Sequence, residues 1–161
     1  MGKSRSYEIK EYRQKIMTEL CKSEKLIELF DLQEEEYPED IIPYHYSYPH
    51  EYIPETITET RKFINFEISA SIDMKNNVFK DLTILFFVLC HKGVARDFKN
   101  GGMWYDTVAC ELDNIFCEND ILGVGKTLLV YNQPYKPNNE HIGRVLTFKV
   151  KDFNNGLKYG K

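Results

Sequence analysis

The stretch Phe63-Ile64-Asn65-Phe66-Glu67-Ile68-Ser69-Ala70-Ser71-Ile72 decides the fold. Ile64, Phe66, Ile68, Ala70 and Ile72 alternate with Phe63, Asn65, Glu67, Ser69 and Ser71. A period of two puts one set of side chains on each face, which predicts a half-buried strand. Asp73-Met74-Lys75-Asn76-Asn77 supplies a turn, and Leu82 to Cys90 follows as a nearly unbroken apolar run. Such a run predicts a central strand covered above and below. The two strands make a hairpin.

Toward the C-terminus, Gly93 to Gly102 reads as a loop. Tyr105, Val108, Ala109, Leu112, Ile115 and Phe116 then recur at steps of three and four, opposite Asp106, Glu111, Asp113 and Asn114. That spacing predicts an amphipathic helix from about Trp104 to Phe116. Beyond Gly123 and Gly125, two further strands are expected at Lys126 to Asn132 and Ile142 to Phe153, joined by a turn-rich connection. In the last of them Leu146, Phe148 and Val150 alternate with Thr147, Lys149 and Lys151, so one face meets solvent or a partner.

Toward the N-terminus, Ile9, Tyr12, Ile16 and Leu20 predict a helix over Tyr7 to Cys21, with Met17 widening its stripe. Ser23 is placed to cap a shorter helix, Glu24 to Phe30. From residue 32 to 59 the character changes to an acidic run followed by Pro38, Pro43, Pro49 and Pro54, interleaved with Tyr44, Tyr46, Tyr48 and Tyr52. Four prolines at this density are expected to prevent a helix and most ladder pairing. The result is a long extended arm whose rigid amphipathic rings suit contact surfaces. Contact with a partner and wrapping of its own domain both fit, and deletion of Tyr44 to Tyr52 is expected to leave a folded domain that no longer assembles.

The order is helix, short helix, arm, hairpin, helix, hairpin. It predicts a single α+β domain over residues 1–161, with a mainly antiparallel sheet and helices packed on one face. Residues 1–6 and 154–161 are expected as tails, and residues 60–153 as the sheet-plus-helix core.

Composition excludes several classes. The 161 residues (19.0 kDa) are 42% hydrophobic and 29% charged, ordinary for a globular domain and unlike a disordered chain. With 21 basic and 25 acidic residues the formal charge is −4, so the basic footprint of a sequence-specific nucleic-acid binder is missing. Tyrosine (11) and phenylalanine (10) dominate the aromatics over a single Trp. The longest apolar run is too short to span a bilayer, and no membrane contact is expected. The N-terminus carries no apolar secretory signal. Met1-Gly2-Lys3-Ser4-Arg5-Ser6 fits the loose N-myristoylation pattern, whose free positions make the match uninformative. Cys21, Cys90, Cys110 and Cys117 show no metal or disulfide spacing, and reduced thiols are expected, with Cys110 and Cys117 as small buried residues on one helical face.

No constellation carries chemistry. Gly123-Val124-Gly125-Lys126-Thr127 resembles the end of a phosphate-binding loop, but Asp120 stands where the first glycine belongs and strand residues follow where a helix is needed. Cys90 and His91 are adjacent on a strand and therefore point to opposite faces. Asp106, Glu111 and Asp113 read as a solvated helix face, and the four His lack a ligand spacing. Arg144, Lys149 and Lys151 read as protection of an edge strand. No catalytic residue, cofactor or metal is expected, and the chain reads as no enzyme.

The segments Tyr12 to Ile16 through Leu29-Phe30, Cys90 to Val94, Tyr105 to Asp113 and Gly143 to Val150, in this element order, resemble the tail terminator and head–tail joining proteins of long-tailed bacteriophages. The resemblance implies a structural virion protein of the phage neck, assembled in the host cytoplasm. It implies a ring of copies of this chain, usually six, that caps the tail tube and docks it to the head connector or stopper while DNA passes through the lumen unread. Heterologous contacts close such a ring, with strand edges near Thr127 to Tyr131 or Leu146 to Val150 as pairing candidates. Tyr44, Tyr46, Tyr48, Tyr52, Tyr135, Arg144 and Lys149 are the candidate interface residues. Another neck component, a stopper or connector adaptor, fits the same features. So does an unrelated small binding or immunity-type protein, or an enzyme whose site gathers distant residues.

Overall fold

The computed structural model describes residues 7–54, 60–72, 75 and 78–154. Helix α1 (Tyr7–Lys22) leads into α2 (Glu24–Leu29), a helical turn α3 (Pro38–Ile41) and the short strand β1 (Ser47–Tyr48). Strands β2 (Lys62–Ile72) and β3 (Phe79–His91), helix α4 (Trp104–Phe116), and strands β4 (Leu128–Tyr135) and β5 (His141–Phe153) complete the fold. They build one five-stranded sheet in the order β1-β2-β3-β5-β4, antiparallel except for the β1–β2 pair. The α+β class follows, with a mainly antiparallel sheet whose helices pack on one face. Most of the Asp73 to Asn77 turn, the N-terminal residues 1–6 and the C-terminal residues 155–161 lie outside the described residues.

The period of two sorts the sheet into two unlike faces. Ile64, Phe66 and Ile68 pair across β2–β3 with Val88, Phe86 and Ile84, and these continue across β3–β5 to Arg144, Leu146 and Phe148. This face meets Ile16 and Leu20 of α1, Leu26 of α2, and Val108, Leu112 and Phe116 of α4, all fully buried. Phe86 sits at its centre, with Phe66, Phe116 and Phe148 rings at 5.9, 5.1 and 5.7 Å. Gly143 is required where β3 and β5 meet, because a Cβ there would lie 1.7 Å from the Val88 carbonyl oxygen.

Capping follows the sequence. The Ser23 hydroxyl oxygen accepts the Leu26 N–H and donates to Glu111 of α4 at 2.7 Å, so one residue starts α2 and ties it to α4. At the far end of the sheet Lys80, 3% exposed, is held by Glu8 and lies 3.9 Å from Asp152, while the Tyr12 hydroxyl donates to Asp152. Burial, reinforced by that hydrogen bond, pushes the Tyr12 hydroxyl far above its ordinary pKa. The cluster joins the start of α1 to the start of β3 and the end of β5.

Three expectations are corrected. The prolines do not exclude helix or pairing from the arm: Pro38 opens α3 at a position whose missing N–H costs nothing, and Ser47–Tyr48 pairs in parallel with Ile64–Asn65. Strand β5 is no edge, since it lies between β3 and β4, so neither Leu146 to Val150 nor the basic residues Arg144, Lys149 and Lys151 guard a free edge. Cys110 is exposed and Cys117 only half-buried, because the α4 stripe that faces the sheet is Val108, Leu112 and Phe116. Strand β3 is central, but its second face is fully buried only at Leu89, with Thr83, Leu85 and Phe87 half-buried.

Candidate functional site

On the sheet face away from the helices, the arm makes a second, smaller cluster. Tyr48 pairs with Asn65 and so falls on this face, where it is 7% exposed, stacks on Tyr52 at 4.1 Å and meets the Phe63 ring edge-on at 6.4 Å. Phe63 and Leu89 form the floor, and Phe87 and Tyr135 close the side, their rings 5.3 Å apart. Polar tips are tied down as the rings bury. Arg61 donates to the Tyr52 hydroxyl at 3.2 Å, the Asn65 amide donates to the Tyr52 carbonyl at 2.6 Å, and the Tyr135 hydroxyl donates to Glu51 at 3.2 Å. Burial and the Glu51 carboxylate raise the Tyr135 pKa.

Past this cluster the face is open. Leu85, Thr83, Val145 and Thr147 are half-buried, Lys149 is exposed, and Leu128 and Tyr131 of β4 are 54% and 55% exposed. Strand β4 is an outer strand of the sheet, paired on one side only, and Val130 sits in a bulge between Leu129 and Tyr131. Bulges and an edge proline, here Pro134, are devices that discourage unwanted pairing. The exposed apolar residues Leu128, Val130 and Tyr131 straddle the bulge, and Pro134 lies beyond Tyr131 toward the end of the strand.

The candidate interface residues therefore do not share one surface. Tyr48, Tyr52 and Tyr135 meet within this chain. Tyr46 packs on Phe30 at 4.9 Å, whereas Tyr44 points outward, 62% exposed, at a positive φ of 62°. Arg144 faces the helix side, bonded to Asn132 and paired with Asp106 of α4 at 3.4 Å. Lys149 lies on the open face opposite Thr83 and Leu128, with no ion pair among the described residues. Removing Tyr44 to Tyr52 would thus take out part of the fold as well as exposed surface.

The residues weighed for chemistry are dispersed or engaged. The Cys90 thiol is buried and points toward the Ile142 carbonyl, and burial pushes it up to about 12, against the opposing charge of Lys62. His91 lies on the other face, where the Gly93 N–H donates to Nδ1 and Nε2 lies 3.4 Å from Glu140. The Gly123 to Thr127 segment runs into a strand, and its Gly125 N–H is spent on the Lys151 carbonyl at 3.1 Å. Glu111 accepts from Ser23 and Asp106 pairs with Arg144. Among the described residues no three His, Cys, Asp or Glu side chains gather to hold a metal ion, and no helix is long and apolar enough to cross a membrane.

One feature escaped the sequence reading. The loop after β3 is held by Asp97, 8% exposed, whose carboxylate accepts the backbone N–H groups of Lys99 and Asn100 at 3.1 and 2.9 Å and the Thr107 hydroxyl at 3.1 Å. Gly101 and Gly102 complete the turn at φ of 81° and 74°, a region that favours glycine. The signal was present as Asp97-Phe98-Lys99-Asn100-Gly101-Gly102, a run of turn formers with one aromatic inside it.

No curated protein and no solved structure matches the chain. The YomW family model matches residues 14–150, from α1 through most of β5, and the chain belongs to this phage-associated family.

Proposed function

We propose that the chain is a structural protein of a long-tailed phage neck, a tail terminator that assembles as a ring, caps the tail tube and joins it to the head connector. The observation that carries this reading is the contrast between a sealed helix face and an open sheet face flanked by the outer strand β4, with Leu128 and Tyr131 exposed. Among the described residues nothing covers the open side, which another molecule can bury, and an edge strand offers backbone donors and acceptors for pairing. Contacts between unlike patches repeat from copy to copy and close a ring when the rotation allows. The phage-associated family and the resemblance of the element order to terminator proteins support the same reading. The role needs no chemical step, and the chain acts as no enzyme in it. Its partners are further copies, the tail-tube protein and the connector or stopper above it.

The test is light scattering at high protein concentration with negative-stain images of the same sample. A ring or stacked tube is the expected result. A chain that stays monomeric at every concentration and binds neither tail-tube nor connector protein overturns the proposal, and binding to the portal side alone reassigns it to a stopper or adaptor.

A further inference from the structure

Phe98 is 84% exposed, more than any other large hydrophobic residue on the described surface. It is also held there. The Asp97 carboxylate fixes the loop from inside and ties it to α4 through Thr107. The Asp97 N–H donates to the Gly102 carbonyl, and the Gly101 N–H to the Asp97 carbonyl, each at 2.9 Å. On the α2 side, Lys99 pairs with Glu28 at 2.7 Å and Lys25 donates to Asn100 at 3.0 Å. A phenylalanine on a slack loop could fold back on its own domain, and this loop gives it no such route. The Arg96 guanidinium lies 4.8 Å from the Phe98 ring centre and makes no ion pair among the described residues. A rigid aromatic beside an arginine is the make-up of an interface anchor.

The same chain carries a recess. A cavity of about 620 Å³ opens between α2, the arm and the start of β2, with Phe30, Ile41, Tyr46 and Val94 as its apolar wall and a polar remainder that includes Asp40, Arg61 and Lys62. That volume has room for a phenyl ring and its neighbours. Of the charged side chains around it, Lys62 is paired with Asp31 at 3.6 Å and lies over the Trp104 ring, and Arg61 donates to Tyr52. Asp40 is the lining carboxylate with no ion pair among the described residues. The backbone is strained on both flanks, at Asp31 (φ 60°) and Tyr44 (φ 62°), as at sites shaped for contact.

We propose that the Phe98 ring of one copy seats in this cavity of a second copy, with Arg96 meeting Asp40. Since Phe98 stays in water within its own molecule, the occupant comes from another. Knob and recess are different patches, so the contact repeats head to tail unless two copies make it reciprocally and close a dimer. The inference rests on the ring reading and names one of its contacts.

Sedimentation velocity over a wide concentration range tests it, on the full chain and on Phe98→Ser, Arg96→Asp, Asp40→Arg and the Arg96→Asp/Asp40→Arg pair. All five proteins should melt alike, since the altered side chains are exposed. Phe98→Ser is expected to raise the concentration needed for association by about 30-fold, the scale of a lost anchor residue. Each charge change alone should weaken association and the pair should restore it. A ring that forms equally well in Phe98→Ser overturns this contact and leaves the ring reading standing. Association that stops at a closed dimer and is lost in Phe98→Ser supports the contact and overturns the ring. No association at any concentration overturns this contact, and the ring reading falls with it only if the chain also binds neither tail-tube nor connector protein.

Discussion

The two faces of the sheet are made from the same strands and differ in what covers them. Toward the helices, Phe66, Phe86 and Phe148 are sealed by three helices, and Ile64, Leu82, Ile84, Val88, Cys90 and Leu146 beside them are at most 1% exposed. Toward the arm, only the end near Phe63 and Leu89 is closed, by a handful of tyrosines, and the rest stands half-open at Leu85, Thr147 and Lys149. One face therefore supplies most of the buried apolar core, while the other stays partly open among the described residues. The difference is visible between neighbours in the chain, since Leu85 and Phe86 point to opposite sides.

The sharpest way to break this contrast is to truncate the sealed side. Phe86→Ala removes a ring in contact with three others and is expected to cost about 3–5 kcal/mol in urea denaturation. Leu85→Ser, one residue away, should cost less than about 1 kcal/mol if its face is open in the monomer. Similar losses from both would mean that the second face is as well packed as the first.

The arm offers the next test. Tyr48→Ala should destabilise by roughly 2–3 kcal/mol, because it empties the centre of the smaller cluster. Tyr44→Ala, 62% exposed, should stay within about 0.5 kcal/mol. Inverted effects would show that the arm is held by its outward tyrosine.

A smaller effect is expected from acid. Burial raises the Asp97 carboxyl, but the hydrogen bonds from Asn100, Thr107 and Lys99 together outweigh it and leave its pKa below the ordinary value. A carboxyl depressed on folding stabilises above its unfolded value and loses that contribution as pH falls through the folded one, so the loss should lie below about pH 4. Asp97→Asn should lower the melting temperature at pH 7 and flatten its fall between pH 5 and pH 3. An unchanged acid profile would show that the Phe98 loop is not fixed by this residue.

The least perturbing probe is thiol labelling. Cys110, exposed on α4, should react with a maleimide in the native protein, and Cys90 only on unfolding. Early labelling of Cys90 would place an opening in the sealed face.

Much of this architecture was legible because side-chain period reports directly on which face is buried. The strand alternation at Phe63–Ile72 and the stripe of α4 depend on nothing beyond their own neighbours. What escaped reading depends on distant partners. Pro38 begins a helix only because the chain enters it at that point, and Ser47 pairs only because β2 offers an edge. Lys149 reads as an edge guard until β4 is seen beside its strand. The candidate residues fared as the arm did, since tyrosine density says that rings will be buried but not against what. Phe98 was passed over because turn-forming neighbours mark a loop without telling whether it is slack or locked.

The buried knot of Glu8, Tyr12, Lys80 and Asp152 bears on how the chain is made. Its members come from the beginning, middle and end of the polypeptide, with Tyr12 and Asp152 separated by 140 positions. Strand β5, synthesised after the other four strands of this sheet, is the one that enters between β3 and β4. A nascent chain that has not yet delivered β5 leaves β3 with an open flank and Lys80 without one of its two carboxylates. Closure of the sheet is thereby deferred until β5 has been synthesised, and the many non-local pairings slow it further. A chain cut before β5 should then lose far more stability than the removal of one strand suggests, because β3 loses its neighbour and the knot loses a member in the same step.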